Sequence, residues 1–514
     1  MKRRSLLLAL LSLLLFGVPG FAAPTEIQRP SQLDLTILHT NDVHGHLLPF
    51  PYTEVGRGGK EEPSRGGSAR RSTLVGRIRS LTHHPVFLLD SGDIATRGPF
   101  ATTYEGLADT ESMNAAGYEL AAIGNNEFKL LDGVDQYNFA DAESALLQVV
   151  KRSRFPWICA NALDEKGDPL PGVQPYVVRE MAGVRVGFLG LTAPRSAGYP
   201  QTKGWTISDP IEAAREWIPR VREHCDVLIA VTHIGTPADI TLAARTRGID
   251  AIIGGDSHTF LYTAIEVENL DHVKVPIVQT GEFGVNLGRF DLHFERGDAG
   301  SYKLARYHYE LMPIDPRLKD DPVVAAAITP YVRPFMQVVG HIPAPGDSAE
   351  ARTRVTTDLV VWAMKQATGD DVALTPLGGG FFETLRHQAV TRYDVYATLP
   401  FHDDVVTASL TGAEIVKLFR PGHDLVIPDV ASLDPAKTYT VAMIDFEAGG
   451  EYHLAGDRSK ETGLDIRAVM IQYLQHLPAS ARPGPFASPR LVIGQIPTPA
   501  EASRGTISPV LHVQ

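Results

Sequence analysis

Leu88-Leu89-Asp90-Ser91-Gly92-Asp93 is the stretch of this 514-residue chain that best predicts its fold. An apolar run that begins at Val86 passes directly into this acidic segment. Short continuous apolar runs are typical of buried parallel strands. Open α/β sheets place their chemistry where strands end, and a carboxylate there can reach two neighbouring metal ions. The stretch therefore predicts a strand that delivers an acidic group to a functional site.

Other predicted strands in the first 280 residues end in the same way. Their polar ends are Asp42 and His44, Asn125 and Asn126, Asn161, His233, and Asp256 and His258. A single histidine at a buried strand end is more often structural, but five strand ends of this kind in one domain favour a shared site. Helical patterns separate the strands, which predicts a layered α/β domain.

The residue types at these strand ends indicate the metal and the chemistry. Oxygen and imidazole ligands without thiolates favour Mn, Mg, Zn or Fe over copper or iron–sulfur centres. Two ions about 3.5–4 Å apart that share a carboxylate are a common arrangement for phosphoester hydrolysis. The sequence therefore predicts a centre that binds two divalent metal ions.

Composition limits the class of protein. The chain is too long for one hydrophobic core, so at least two domains are expected. The net charge of -12 argues against a role in coating nucleic acid or an anionic membrane. Cys159 and Cys225 either pair or both stay free, and their spacing leaves both alternatives open.

The N-terminus has the pattern of a secretory signal. Basic residues at Lys2–Arg4 precede an apolar run from Leu6 to Phe16, and small residues follow up to Ala23. The alternative of a membrane anchor is disfavoured because about eleven apolar residues cannot cross a bilayer. We expect cleavage after Ala22 or Ala23, export to the periplasm or the exterior, and no stable membrane span afterwards.

The polar clusters, in this order, resemble those of calcineurin-like metallophosphoesterases, and within them the secreted bacterial 5′-nucleotidases. That family includes UDP-sugar hydrolases and 2′,3′-cyclic phosphodiesterases. The motifs that carry the resemblance are Leu38–Gly45, Asp90–Asp93, Gly124–Phe128, Thr232-His233 and Gly254–Thr259. The resemblance implies a first ion held by Asp42, His44, Asp90 and His258. It implies a second ion held by Asn125, His233 and Asp256, with Asp90 bridging the two.

Three positions in these motifs depart from the family pattern. Asn126 and Lys129 stand where the family has a His/Asp dyad that stabilises the transition state, and Asp256 stands where it has a histidine. Loss of general-acid help typically costs ~10²–10⁴-fold in rate. Asn126 and Asp90 remain the candidate catalytic residues. Lys129 either supplies positive charge near the phosphate or is an ordinary solvated lysine.

The second half resembles the family's smaller α/β substrate domain. Its candidate substrate-binding residues are Gly379, Gly380, Phe382 and Phe446. Phe382 replaces the family arginine that meets the phosphate, and Phe446 stands where a base-stacking aromatic residue is expected. The predicted organisation is a signal peptide (1–23), a metallophosphoesterase domain (33–312), a linker helix (313–345), a 5′-nucleotidase-like domain (346–478) and a Pro/Ala/Ser-rich tail (479–514).

These features predict an exported phosphoesterase with two metal ions. It would hydrolyse nucleotides or related phosphate esters by attack of metal-bound hydroxide, with a small nucleotide-like phosphate ester as its partner and no nucleic acid. Two alternatives stay open because the site departs from the family pattern. One is a catalytically impaired ligand-binding homologue, and the other is a sulfur-oxoanion hydrolase on the same metal scaffold. The oligomeric state and the identity of the metals are not predicted.

Overall fold

A computed structural model describes the chain over residues 29–54, 59, 61–95, 98–129, 139–199, 202–298, 300–378, 383–401, 403–450, 452–454 and 458–478. The predicted signal peptide and the predicted C-terminal tail lie outside the described residues. So do Gly379, Gly380 and Phe382 of the predicted substrate site.

The first part of the chain contains most of the strands. They are β1 (Gln32–Thr40), β2 (Phe50–Thr53), β3 (Glu61–Arg65), β4 (Val86–Asp90), β5 (Leu120–Ala122), β6 (Trp157–Ile158), β7 (Ala162–Leu163), β8 (Val173–Gln174), β9 (Tyr176–Met181), β10 (Val184–Thr192), β11 (Thr206–Ile207), β12 (Val227–His233), β13 (Ala251–Ile253), β14 (Ile265–Glu268), β15 (Lys274–Val278), β16 (Asn286–Arg296) and β17 (Tyr302–Pro313). The helices are α1 (Ser68–Leu81), α2 (Pro99–Tyr104), α3 (Leu107–Ala116), α4 (Phe139–Arg152), α5 (Pro210–Arg222) and α6 (Thr236–Arg245). Short 3₁₀ turns lie at Asn126–Lys129 and Pro194–Gly198.

Two sheets pack face to face in this first domain. One has the strand order β17-β16-β1-β4-β5-β6-β8 and the other β14-β15-β13-β12-β10-β9. A buried apolar core that includes Ile37, Phe188 and Val231 fills the space between them. Helices α1, α3 and α4 cover the outer face of the first sheet, and α5 and α6 cover the second. The domain is thus a four-layer α/β sandwich, and the predicted fold class is confirmed.

The central strands of both sheets run parallel, and this directs their polar ends to one edge. Strand β1 pairs with β4 so that Thr40 lies opposite Asp90. Strand β10 pairs with β12 so that Thr192 lies opposite His233. Because the carboxyl ends of parallel strands meet at the same edge, the loops that follow them converge there.

The second part of the chain forms a smaller domain around a five-stranded sheet of order β22-β19-β23-β21-β24. Its elements are α7 (Pro322–Val332), β18 (Val338–His341), α8 (Ala349–Thr368), β19 (Val372–Pro376), β20 (Ala389–Thr391), α9 (Arg392–Thr398), β21 (Asp404–Thr411), α10 (Gly412–Leu418), β22 (Asp424–Ile427), β23 (Thr438–Ile444), α11 (Asp445–Gly450), β24 (Ser459–Asp465) and α12 (Ile466–His476). Two 3₁₀ turns lie at Arg333–Met336 and Val430–Ser432. Helices α8 and α12 pack on one face of the sheet.

The two domains share apolar contacts. Leu47 and Phe100 of the first domain belong to the same buried cluster as Phe335 after helix α7 and Tyr473 of helix α12. Helix α7 lies within the segment predicted as a linker, which therefore packs against the first domain. The exact domain boundaries remain predictions.

Both cysteines are buried and free, so of the two alternatives the structure shows the unpaired one. Burial raises the pKa of Cys159 to about 12, which leaves its thiol unreactive. Over the described ranges, no helix combines the length and the apolar character needed to cross a bilayer.

Candidate metal centre

The loops that follow strands β1 and β4 are joined by backbone hydrogen bonds. The Asp42 amide donates to the Gly92 carbonyl at 2.9 Å, and the His44 amide donates to the Asp93 carbonyl at 3.0 Å. Gly92 has φ +96°, and a Cβ there would lie 2.6 Å from the Gly124 amide nitrogen. Only glycine therefore permits the close approach of the loops after β4 and β5.

Five residues of this region have a left-handed backbone although none is glycine: Asp42, His44, Asp93, Asp256 and His258. Such conformations are uncommon outside glycine, although Asp and His adopt them more readily than most residues. They persist where the surrounding structure fixes them, and they cluster at functional sites. Five of the ten non-glycine residues with positive φ in the described part of the chain therefore lie in this one region.

A first group of possible metal ligands consists of Asp42, His44 and His258. Asp42 Oδ1 lies 3.3 Å from His258 Nε2 and 3.7 Å from His44 Nε2. The two imidazole Nε2 atoms lie 3.1 Å apart. Three donor atoms this close to one another can converge on one ion.

A second group shares Asp42 with the first and adds Asp93 and His233. His233 Nε2 lies 3.2 Å from Asp93 Oδ2 and 3.8 Å from Asp42 Oδ1. Asp93 Oδ2 also lies 3.9 Å from His44 Nε2, so Asp93 touches both groups. The two groups are therefore adjacent and could hold two neighbouring ions.

Two buried atoms at the centre point to a bound cation. Asp42 Oδ1 and His233 Nε2 have no hydrogen-bond partner within the described part of the chain, although both side chains are fully buried. A buried polar atom without a partner costs roughly 1–3 kcal/mol, and an ion bound between these two atoms would remove that cost. The residues present thus fit a divalent metal ion.

Electrostatics at the centre also favour a cation. Burial alone would raise the pKa of Asp93, but the facing imidazoles of His233 and His44 lower it. Burial would lower the pKa of His233, but the carboxylates of Asp93 and Asp42 raise it well above its ordinary value. The carboxylates of the centre thus stabilise positive charge on the imidazoles, and a metal ion would take the place of that charge.

Asp90 and Asp93 have different surroundings. Asp90 accepts hydrogen bonds from the Thr40 hydroxyl at 2.5 Å and from the Gly92 amide at 2.8 Å, and it belongs to neither group of possible ligands. Burial raises the pKa of Asp90 to about 7. Asp93, three residues further on, lies between the two groups. The resemblance to the family implies this bridging position for Asp90.

The loop after strand β5 holds Asp93 in position. Asn126 donates to both carboxylate oxygens of Asp93, from its backbone amide at 2.8 Å and from its side-chain amide at 2.6 Å. Glu127 accepts from the backbone amides of Asp93 at 2.9 Å and Gly124 at 2.7 Å. Asn126 therefore contacts a candidate ligand directly and belongs to neither group of possible ligands itself.

Asn125 and Asp256 lie at the outer side of the second group. Asp256 Oδ1 is 3.7 Å from His233 Nε2, and the Asp256 backbone amide donates to Asp42 Oδ2 at 2.9 Å. Arg195, from the 3₁₀ turn after β10, donates to Asn125 Oδ1 at 2.7 Å and forms an ion pair with Asp256. Both residues are thus brought to the centre, together with an arginine that sequence reasoning did not identify.

The histidines are oriented by further hydrogen bonds. His233 Nδ1 donates to the Ser91 carbonyl at 2.8 Å. His258 Nδ1 donates to Glu282 at 2.5 Å, and Glu282 in turn accepts from the Tyr52 hydroxyl at 2.9 Å. Carboxylate partners of this kind fix the ring and increase the basicity of the metal-binding nitrogen. Glu282 follows strand β15, and no sequence motif pointed to it.

Two other predicted positions, Lys129 and Phe446, belong to neither group of possible ligands. Lys129 lies with its Nζ 4.2 Å from the centre of the Tyr199 ring, a cation–π contact. Phe446, on helix α11, is 69% exposed, so its ring is accessible to a ligand and is not part of the core.

Comparisons with known proteins match both parts of the chain. The family model for the calcineurin-like phosphoesterase matches residues 35–260, and the model for the 5′-nucleotidase C-terminal domain matches residues 338–431. The predicted resemblance to the 5′-nucleotidase family is confirmed. The chain joins a calcineurin-like phosphoesterase domain to a 5′-nucleotidase C-terminal domain, and its relatives in this family are phosphoesterase hydrolases.

Individual relatives agree with this family. The chain is 29% identical over 444 residues to the trifunctional nucleotide phosphoesterase protein YfkN of Bacillus subtilis, covering 78% of this chain and 29% of that protein. It is 27% identical over 560 residues to the protein UshA of Yersinia enterocolitica, covering 92% of this chain and 96% of that protein. The crystal structure of a 5′-nucleotidase precursor from Thermus thermophilus superposes with a TM-score of 0.64 at 26% identity, covering 88% of this chain and 98% of the other.

Proposed function

We propose that this chain is an exported metal-dependent phosphoesterase that hydrolyses nucleotides or related small phosphate esters. The observation that carries the proposal is the pair of adjacent ligand groups that share Asp42, with Asp42 Oδ1 and His233 Nε2 left without partners over the described residues. Such a pair suits two divalent ions of the Mn, Zn, Mg or Fe type. The confirmed family supports the class of reaction. The basic, apolar and small-residue pattern at residues 1–23 supports export.

In this proposal Asp42, His44 and His258 hold the first ion. His233, with Asn125 and Asp256, holds the second. Asp93 takes the bridging role that the sequence had assigned to Asp90, because Asp93 Oδ2 lies near the imidazoles of both groups. When bound, the ions supply positive charge to the phosphate and lower the pKa of a water.

The surrounding residues keep these ligands fixed. Asn126 directs the Asp93 carboxylate with two hydrogen bonds, so we propose a positioning role for it. Glu282 orients His258, and the Ser91 carbonyl orients His233. A preorganised ligand set of this kind lets binding energy serve the transition state without reorganisation of the protein.

The substrate class would be decided by the second domain. Phe446 is exposed and available to stack on a base, whereas the rest of the predicted substrate site lies outside the described residues. We therefore propose a nucleotide-like phosphate ester as the substrate, with Phe446 as its aromatic contact.

The test is hydrolysis of four substrates by the mature protein, each with Mn²⁺, Zn²⁺ or Mg²⁺. It is followed as p-nitrophenol from p-nitrophenyl phosphate and bis-p-nitrophenyl phosphate, as inorganic phosphate from AMP, and as UMP from UDP-glucose. Asp42→Asn should abolish turnover because Asp42 belongs to both groups. Asp298→Asn, at an exposed loop position, is the matched control and should keep full activity. Turnover that Asp42→Asn does not reduce would refute the proposal.

The same assay separates the alternatives. Bound metal without turnover of any phosphate ester would favour the ligand-binding homologue. Metal-dependent cleavage of a thiosulfate or sulfate ester in preference to every phosphate ester would favour the sulfur-oxoanion hydrolase.

A further inference from the structure

Arg195 places a fixed positive charge on two of the proposed metal ligands. Its guanidinium contacts both carboxylate oxygens of Asp256, Oδ2 at 2.9 Å and Oδ1 through the ion pair, and it donates to Asn125 Oδ1 at 2.7 Å. Asp256 and Asn125 are the outer two of the three residues proposed for the second ion. The guanidinium is thus bound by donor atoms that a metal ion would also use.

One carboxylate oxygen of Asp256 faces both the arginine and the second ligand group. Asp256 Oδ1 pairs with Arg195 and lies 3.7 Å from His233 Nε2, so this atom faces the arginine on one side and the second ligand group on the other. The Asp256 side chain is only 9% exposed, whereas the Arg195 side chain is 51% exposed. The carboxylate is therefore fixed in the protein, and the guanidinium reaches it from the solvent side.

The first ligand group has a different composition. Asp42, His44 and His258 contact one another, and the other ring nitrogen of His258, Nδ1, donates to the carboxylate of Glu282. Added negative charge behind a ligand strengthens metal binding, whereas an arginine on a ligand opposes it. A negative charge thus contacts a ligand of the first site, whereas a positive charge contacts two ligands of the second site.

We propose that Arg195 is a permanent cation at the second metal site. Its guanidinium shares Asn125 and Asp256 with the ion, and its charge makes the second ion bind more weakly than the first. The inference rests on the proposed function, because it assigns unequal affinities to the two ions proposed there. The protein would hold one ion tightly and take up the second only at a higher metal concentration.

The expected size follows from Coulomb's law. One unit charge about 6 Å from a divalent ion, in surroundings with a dielectric constant of about 40–80, changes the affinity by about tenfold to a hundredfold. Removal of the arginine charge should therefore tighten the second ion by that factor and leave the first ion almost unchanged.

The experiment measures Mn²⁺ binding to the full mature protein after removal of metal with a chelator, by isothermal titration calorimetry and by the EPR signal of free Mn²⁺. The variants are Arg195→Met, which removes the charge, and Arg195→Lys, which keeps it. Arg185→Met is the matched control, since Arg185 pairs with Asp226 in a similar half-exposed geometry away from the centre.

We expect two classes of site in the wild type and in Arg195→Lys, a second ion that binds at least about tenfold tighter in Arg195→Met, and no change in Arg185→Met. Equal affinities for both ions in the wild type would overturn the inference, as would an Arg195→Met variant whose second ion binds no tighter. If Arg195→Met does not fold, Arg195→Gln at the same half-exposed position replaces it with the same two outcomes.

The result also separates this inference from the proposed function. A wild-type protein that binds no divalent ion would remove the proposed function. A wild type that binds two ions and turns over substrate, with Arg195→Met unchanged in both respects, would remove only the role of Arg195.

Discussion

Exchanging Asp93 or Asp90 for asparagine should have very different effects. Asp93 Oδ2 lies 3.2 Å from His233 Nε2 and 3.9 Å from His44 Nε2, between the two ligand groups. Asp93→Asn replaces that anionic oxygen with a neutral amide while it keeps the size of the side chain. We expect loss of at least one ion and a fall in kcat/KM of ~10³-fold or more, about 4 kcal/mol of transition-state stabilisation.

The Asp90→Asn variant should remain active. Burial raises the pKa of Asp90 to about 7, so its native carboxyl group is already partly neutral near neutral pH. Asparagine can still accept from the Gly92 amide, and it can donate to the Thr40 hydroxyl, which also bonds to Tyr118 at 2.8 Å. We expect kcat/KM within about tenfold of the wild type and unchanged metal content.

The assay is p-nitrophenyl phosphate hydrolysis at saturating Mn²⁺, with metal content measured by mass spectrometry and folding checked by thermal unfolding. The reasoning would be refuted if Asp90→Asn lost metal and activity as completely as Asp93→Asn. It would also be refuted if Asp93→Asn kept both.

Three further perturbations test the surroundings of the centre. Glu282→Gln keeps the hydrogen bond to His258 but removes its charge, so Mn²⁺ affinity should fall about 10–100-fold in a calorimetric titration, and an unchanged affinity would contradict this role. In Gly124→Ala the new Cβ would lie 2.3 Å from Asp93 Oδ1, so metal binding should be lost, while Gly76→Ala, with open space around it, should bind metal normally. Burial lowers the pKa of His39 to about 3, so the folded protein keeps this ring neutral while the unfolded chain protonates it below about pH 6.5. Above that pH the neutral ring does not lower the free energy of unfolding, but as the pH falls this free energy decreases, by about 2 kcal/mol near pH 5. Urea unfolding should therefore show a flatter pH dependence for His39→Leu than for the wild type.

The sequence predicted which polar strand ends meet in space. Asp42, His44, His233 and His258 were recognised because each follows an apolar run, and the structure brings all four together. Parallel strands place their carboxyl ends at one edge, so a pattern that is local in sequence becomes a cluster in space. The fold class could be predicted for the same reason.

The choice between Asp90 and Asp93 needed the tertiary structure. Both residues belong to one six-residue stretch, and either could end a strand. Strand β4 extends to Asp90, whose carboxylate turns back to Thr40 of the neighbouring strand. The turn at Gly92 then carries Asp93 towards His233, and this depends on how closely the loop after β5 approaches.

The tertiary structure also determines which residues outside the motifs reach the centre. Arg195 and Glu282 lie far from the metal motifs in sequence, and no periodicity or spacing indicates that they reach the centre. They meet it because the loops of both sheets converge at one edge. The sequence by itself thus determined the class of ligands, since apolar runs and polar ends are local properties. The position of Asp93 between the two groups of possible ligands, and the charges that contact those groups, depend on contacts between distant segments, which only the packing of the two sheets fixes.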